Sequence, residues 1–517
     1  MATGFIVRKN QYYDSVFLMG VNNRLSQIQG VQQTAVLMAS EKNKELLVNF
    51  GLHGEEIESA QPNDLIVTVI AETPQIVETV LANLDQALIS QEASAPASHL
   101  HSLEEGLVEK PFANLAAFSI PGEYVYREAM KALEANLNVF IFSSNVPLEE
   151  ELKLKQFASE HKLLVMGPDC GTSILGGVGI GFANVVRNGT IGVIGPSGTG
   201  LQEFTSQVHN AGYGISHAFG TGSHDLSDEI GGVTTLMALD ALETDEQTEV
   251  IAIVAKPPGQ KTLHHLVARL KNCTRPVVAC FLGTPPEDVN TNSGILWARM
   301  IDDAVLSAIQ VSGKRESTPG IQLTETEHGL ARQTRAKWSS EQCYLRGLLA
   351  GGTFCHQSQQ ILLEAGIEVY SNAPLKPQYK LTHPDHSYKH TLIDMGDDAY
   401  TLGKPHPMID GTMRKQRILA ESYDPSVAIL LLDFILGYNA SMDPVGELLD
   451  AIVEAKQRMQ QHAGDLAVVA SICGTQEDPQ ELDLQAKLLQ EAGVILFHSN
   501  AKASLFCCEL LKPAKEV

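Results

Sequence analysis

The chain is short of positive charge: 37 Lys and Arg stand against 61 Asp and Glu over 517 residues, a formal net charge of −24. Nucleic acid and acidic membrane surfaces demand a basic face, so no nucleic-acid or membrane partner is expected. Cysteine is sparse and scattered. The eight thiols form no C-x-x-C pair, and only Cys507 and Cys508 are adjacent, which argues against a zinc or redox framework and suits reduced thiols in the cytoplasm. The opening M-A-T-G-F-I-V-R-K-N has no apolar core of signal-peptide type, and no run approaches membrane-spanning length. A cytoplasmic location is expected. Neither G-x-x-x-x-G-K-[ST] nor G-x-G-x-x-G occurs at the most prominent glycine-rich turn, so that turn matches neither of the two familiar phosphate-loop patterns.

That turn is I-G-V-I-G-P-S-G-T-G-L, Ile191 to Leu201: a short apolar strand, a glycine-rich bend, then Leu201, Phe204 and Val208 at helical spacing. A helix opened by Ser197, Gly198, Thr199 and Gly200 presents unpaired N–H groups at its positive end, a place for phosphate or carboxylate. An ordinary capped turn has the same sequence appearance, so the neighbouring turns decide. F-G-T-G-S (Gly220, Thr221, Gly222) and A-K-P-P-G (Lys256) follow later strands, and V-M-G-P-D-C (Pro168, Asp169, Cys170) precedes it. In a parallel sheet all of these emerge beyond the carboxyl ends of the strands, on one edge.

The length suits three or four domains. Residues 1–90 read as a small α+β domain and Ile89 to Glu109 as a polar linker. From residue 110 to 187 strands and helices alternate, as in a Rossmann-like, CoA-binding type of domain; residues 188–315 and 341–517 repeat that alternation as two flavodoxin-type domains, with Lys314 to Ser340 a second linker candidate. The fold class is therefore α/β, several parallel-sheet domains plus a small N-terminal α+β domain. In the last domain G-G-T-F-C (Gly351, Gly352, Thr353) repeats the small-residue turn and offers a second anion nest. Cys355 in that turn has no activating base beside it in sequence. G-K-P-H-P-M-I-D places Lys404 and His406 in one proline-constrained loop, either a rigid surface loop or one facing substrate. Asp394, Asp397 and Asp398 in I-D-M-G-D-D suit Mg²⁺ at a strand end, with Asp397 and Asp398 the candidate ligands; the same carboxylates equally suit capping of the next turn. Asp433, ending the apolar L-L-L-D-F, must be solvated or paired.

The order V-M-G-P-D-C, G-V-I-G-P-S-G-T-G-L, N-A-G-Y-G-I-S, F-G-T-G-S resembles the α subunit of succinyl-CoA synthetase, which carries a G-P-N-C turn, a G-I-[VI]-S-x-S-G-T-L loop and a G-F-G-x-S segment. I-D-M-G-D-D and L-L-D-F-I-L-G-Y resemble the carboxyl-terminal domain of its β subunit. The fused arrangement, with Y-Y-D-S-V-F-L-M, K-P-P-G and G-K-P-H-P-M-I-D, resembles the FdrA family over essentially the whole chain. The resemblance implies a succinyl-CoA synthetase-type fold and association with a multi-subunit carbamoyltransferase that interconverts oxamate plus carbamoyl phosphate with oxalurate, so small anions of that kind and other protein subunits are the expected partners.

The chain departs from the ligase pattern where the ligase keeps its phosphohistidine. G-H-A-G-A gives way to G-T-P-P-E-D-V-N-T-N-S-G-I-L-W-A-R-M, with no histidine from Gly283 to Met300, and the acid that steadies the imidazole is replaced by Lys256. His264 and His265 precede the strand, on a helix. What remains is an anion pocket in which Ser197, Thr199 and Lys256 are the candidate catalytic residues, suited to expelling phosphate from an acyl or carbamoyl phosphate without a covalent enzyme intermediate. An acid-thiol ligase and a non-catalytic CoA- or nucleotide-binding scaffold are the competing readings, so CoA or a nucleotide stays open as a ligand.

Overall fold

A computed structural model describes the chain apart from residues 1, 12, 14, 27, 41–42, 45–46, 48–53, 89–99, 284–293, 314–319, 402–403, 463 and 513–517. It divides into two compact units, Met1–Val139 with Ser143–Pro147 and Leu402–Pro405, and Phe140–Phe142 with Leu148–Thr401 and His406–Val517.

In the first unit, the apolar strand Leu65–Ala71 lies between Ala2–Arg8 and Val31–Met38, antiparallel to both. Its β-branched run L-I-V-T-V-I-A is buried along nearly its whole length, which a strand covered on both faces requires. The helices Ser15–Ser26 and Pro74–Ala82 supply Leu18, Val21, Leu25, Val77 and Val80 to that core. Thr73 caps the second of these by accepting the N–H of Ile76. The linker expected from Ile89 to Glu109 is helical over Leu103–Glu109, where Ser102 caps the first turn and two glutamates favour its positive end; residues 89–99 of it lie outside the described residues.

The second unit holds two open sheets. One has the strand order Leu296–Ala298, Val277–Phe281, Val250–Ala255, Asn188–Gly195, Ile215–Gly220, Thr172–Leu175, Val178–Gly181. The first five strands are parallel, and the hairpin 172–181 adds an antiparallel edge. That hairpin joins this sheet rather than the preceding domain in which the sequence places it. The other sheet is parallel throughout, in the order Tyr370–Ser371, Thr391–Asp394, Tyr344–Leu349, Val427–Ile435, Ala467–Cys473, Ile495–Phe497.

Both sheets reverse direction at their first parallel strand. From Asn188–Gly195 the chain goes to Ile215–Gly220 on one side and then to Val250–Ala255 on the other. From Tyr344–Leu349 it goes to Tyr370–Ser371 and Thr391–Asp394 on one side and then to Val427–Ile435 on the other. Such switch points open a crevice beyond the strand ends, and the helix leaving each of these strands starts in it. Those helices are Gly198–Asn210 and Gly352–Glu364.

Three element boundaries differ from the sequence reading. The helix expected from Gln357 starts five residues earlier, at Gly352, because Gly351 takes the extended cap conformation. The helix expected from Ser227 starts only at Val233: Gly231 and Gly232 both adopt positive φ, and Asp225 caps from a distance by accepting the N–H groups of Thr234 and Thr235. The second linker candidate contains the helix Glu325–Arg335, opened by a reciprocal Thr324–Glu327 capping box, with Ala331 buried in the core of the second sheet. No helix among the described residues is long and apolar enough to cross a membrane.

Candidate functional site

The helices Gly198–Asn210 and Gly352–Glu364 meet at their N-termini. The Thr353 hydroxyl donates to the Ser197 hydroxyl at 2.5 Å, and methyl groups placed on Gly200 and Gly351 would stand 3.4 Å from Cγ2 of Thr353 and 3.2 Å from Cβ of Thr199. Neither helix has a side-chain cap. The first intrahelical bonds run from Leu201 N–H to the Ser197 carbonyl and from Cys355 N–H to the Gly351 carbonyl, which leaves the N–H groups of Gly198, Thr199, Gly200, Gly352, Thr353 and Phe354 without helical partners. Two positive helix ends brought this close repel each other unless an anion lies between them. Their positive ends would favour a negatively charged group placed between them.

Four charged residues and a histidine frame it. Lys256, exposed just past Val250–Ala255, lies close enough for its charge to act on Asp394 and His356. Asp433 is wholly buried and accepts the N–H groups of Ala350 and Gly351, both at 2.8 Å, fixing the turn that leads into the second helix. Arg414 pairs with it at 2.9 Å. Burial drives both groups toward their neutral forms; their mutual attraction and the two backbone donors oppose it. The expectation that Asp433 is solvated or paired resolves as paired. Asp394 ends the strand Thr391–Asp394, and burial lifts its carboxyl to about 6 while Lys256 pulls it down. His356, one turn into the second helix, approaches the Leu282 carbonyl at 3.4 Å, and burial followed by the Lys256 charge lowers it to about 4.

The structure brings Ser197, Gly198, Thr199, Gly200, Gly351, Gly352 and Thr353 together, with the Lys256 charge acting on Cys355 and His356 of the second helix, and uses other sequence candidates differently. Gly220 and Gly222 serve close packing: methyl groups on them would meet the Thr172 carbonyl at 2.2 Å and the Pro168 carbonyl at 2.4 Å. Thr221 is buried, with its carbonyl accepting from Lys155 Nζ at 3.0 Å, and Lys155 is itself buried in ion pairs with Glu151 and Asp225. The Cys170 thiol is buried against the Thr172 carbonyl and pushed up to about 12 by burial, so it lines the wall and does not bind an anion. Asp169 is exposed at positive φ, where its charge helps hold the His224 imidazole above its usual range, after the Glu151 hydrogen bond. Lys404 is exposed. His406 is partly buried; its Nδ1 accepts the Met408 N–H, so its proton sits on Nε2, and burial with Arg414 lowers it to about 4. Asp397 accepts the Ala399 N–H at 3.0 Å and caps a short helical turn; the Asp398 side chain lies outside the described residues. Among the described residues no group of three or more His, Cys, Asp and Glu side chains is arranged to hold a metal.

His264 and His265 are exposed on the helix Gln260–Leu270, and residues 284–293, where the ligase loop falls, lie outside the described residues. Sequence reasoning missed Arg414 and His356, and it grouped Asp394 with Asp397 and Asp398. The strand-end place of Asp394 was a usable signal. Nothing local marked Arg414.

The CoA-ligase family model matches residues 348–507, the CoA binding domain model residues 186–275, and a model described as AllF, heavy metal-associated domain, residues 1–102. The uncharacterized protein YahF of Escherichia coli K12 is 39% identical over 520 residues, covering 100% of both chains. The α subunit of ADP-forming succinate–CoA ligase from Methanothermobacter thermautotrophicus is 25% identical over 36% of this chain and 63% of its own length, so this chain spans under two thirds of that relative. A dinucleotide-forming acetyl-coenzyme A synthetase from Ca. Korarchaeum cryptofilum superposes with a TM-score of 0.31 at 18% identity, covering 77% of this chain and 82% of that one.

The fold and the paired cradle define a fused chain of succinyl-CoA synthetase type, with the α-like and β-like sheets in one polypeptide. With a full-length relative at this identity and an AllF-type domain at its front, the chain belongs to the FdrA family. Two groups implied by these matches can be tested against the residues. The first cysteine of the chain is Cys170, so residues 1–102 carry no thiol, and a thiolate-held heavy metal does not fit there. Phosphate groups such as those of CoA or a nucleotide fit the chemistry of the Gly198 to Gly200 N–H groups, which have no helical partners.

Proposed function

We propose that the chain is the phosphate-handling subunit of a carbamoyltransferase that interconverts oxamate plus carbamoyl phosphate with oxalurate plus phosphate, working with other subunits in the cytoplasm. The observation that carries the reading is the pair of uncapped helix ends joined by Thr353 and Ser197, with the Lys256 charge acting on Cys355 and His356 of the second helix and on Asp394. Backbone donors of this kind bind the phosphate of carbamoyl phosphate and stabilise the charge that grows on the bridging oxygen as the C–O bond breaks. Lys256 stands where the ligase has an acid that steadies its phosphohistidine, and a cation there favours an anionic leaving group over a relay imidazole. The AllF-type match and the FdrA membership agree with carbamoyl transfer in ureide breakdown.

The CoA-ligase matches favour a second reading, an acid-thiol ligase in which bound CoA supplies the thiol nucleophile. The two differ in one intermediate. Purified chain with its partner subunits should convert oxalurate and phosphate to oxamate and carbamoyl phosphate, and labelled ATP should leave no acid-labile, alkali-stable phosphate on the protein. Label on His356 or any other histidine would favour the ligase and overturn the carbamoyltransferase.

A further inference from the structure

The Asp394 carboxylate is only half used in the fold. Its strand runs parallel to Tyr344–Leu349 with Leu349 opposite Asp394, which brings the carboxyl out beside the turn that opens the second cradle helix. Oδ1 accepts the Gly396 N–H at 3.0 Å. Among the described residues no donor reaches Oδ2, and a methyl group placed on Gly352 would stand 2.6 Å from it, so this oxygen faces the start of the helix. The residue is 6% exposed. One oxygen of this mostly buried carboxylate therefore serves the turn and the other is left for a ligand.

The groups acting on it come from four elements: Lys256 attracts, Asp397 and Asp433 repel, and the buried Cys355 thiol lies nearby. Nε2 of His406, which carries that ring's proton, and Oδ1 of Asp394 flank the same glycine, Gly396. Burial brings the acid near 6, where it is ionised at neutral pH yet a far better proton acceptor than an ordinary aspartate. His356 is a weaker base, and its Nε2 is turned to the Leu282 carbonyl.

We infer that Asp394 is the proton acceptor for the second substrate, and that this substrate presents a carboxamide N–H as nucleophile, between the phosphate cradle and Oδ2. The inference rests on the carbamoyl-transfer reading. In the forward step the amide nitrogen bonds to the carbamoyl carbon, the carbon–oxygen bond to phosphate breaks, and the amide proton passes to Oδ2 and then to the departing phosphate. In phosphorolysis, protonated Asp394 returns its proton to the leaving amide nitrogen. No oxidant or reductant is involved.

The test uses the assembled enzyme with carbamoyl phosphate and oxamate. The wild-type kcat should fall on the acid side with a midpoint near pH 6. Asp394→Asn should lower kcat at least a hundredfold, leave KM for carbamoyl phosphate within threefold, and remove that acid limb; Asp394→Glu should recover at least a tenth of the rate together with the limb. A wild-type enzyme that works while Asp394→Asn keeps kcat within threefold overturns the role of Asp394 and leaves carbamoyl transfer standing. A wild-type enzyme inactive with every partner overturns both. Should Asp394→Asn fail to fold, an acid limb missing from the wild-type profile, or an Asp394→Glu enzyme that folds but is inactive, overturns the inference.

Discussion

Asp433 and Arg414 carry the turn on which the second half of the cradle depends. Arg414 donates to the Asp433 carboxylate and main-chain carbonyl and to the Leu348 carbonyl, while Asp433 holds the N–H groups of Ala350 and Gly351. Replacing Arg414 with Met leaves a buried carboxylate without its counter-ion, so Arg414→Met should cost about 3–5 kcal/mol in urea unfolding. A loss below about 1 kcal/mol would show that the pair is dispensable. At this scale the sequence was half legible. Ser197 to Gly200 and Gly351 to Thr353 announce themselves as small-residue turns after apolar strands, and Asp433 was marked by the charge it puts in an apolar run. Arg414 sits in a different element, and its partner is set by how a helix packs on the sheet, which no local pattern encodes. Gly220, Thr221 and Gly222 misled for the same reason: a glycine needed for close packing and one needed for a ligand look identical in sequence.

Two helices and the strands that feed them make the site. Alternating strands and helices identified the parallel sheets, but the helix starts depended on a glycine cap at Gly351 and a remote aspartate cap at Asp225, neither visible in apolar spacing. The two helix ends are separable by substitution. Thr199→Asp places a carboxylate at the first helix end, beside Gly351, and should abolish phosphate binding measured by calorimetry while the fold persists. Gly352→Ala puts a methyl group 2.6 Å from Oδ2 of Asp394 and displaces that carboxylate. Phosphate affinity should then stay within about threefold while turnover falls at least about tenfold. Equal loss of phosphate binding in both variants would contradict the division of labour between the helices.

Across the second unit, the helix Gly198–Asn210 is tied to the second sheet by buried polar contacts. Glu203 accepts hydrogen bonds from the N–H of Asn500 and from the side-chain amide of Gln207, and Asn184 and Gln202 both donate to the Leu436 carbonyl. Burial, then the nearby Asp302, raises the Glu203 carboxyl to about 8. Its ordinary value is 4.5, so between those two pH values the folded chain holds a proton that the unfolded chain has released. Stability therefore falls as pH rises through that window, by up to about 1.4 kcal/mol per pH unit for one proton. Glu203→Gln keeps the accepting oxygen and should flatten the urea-unfolding free energy between pH 6 and 8 by roughly one proton's worth of slope, with the part due to Asp302, also raised by burial, remaining. An unchanged slope would mean that Glu203 is ionised in the folded chain.

The most direct measurement is a crystal structure of this chain with carbamoyl phosphate. The phosphate should lie between the two helix ends, within hydrogen-bond reach of the Gly198, Thr199 and Gly200 N–H groups and of Lys256, bonded to no protein atom. A Thr353–Ser197 contact that stays closed with the ligand bound elsewhere, or phosphorus found on a histidine, would contradict it.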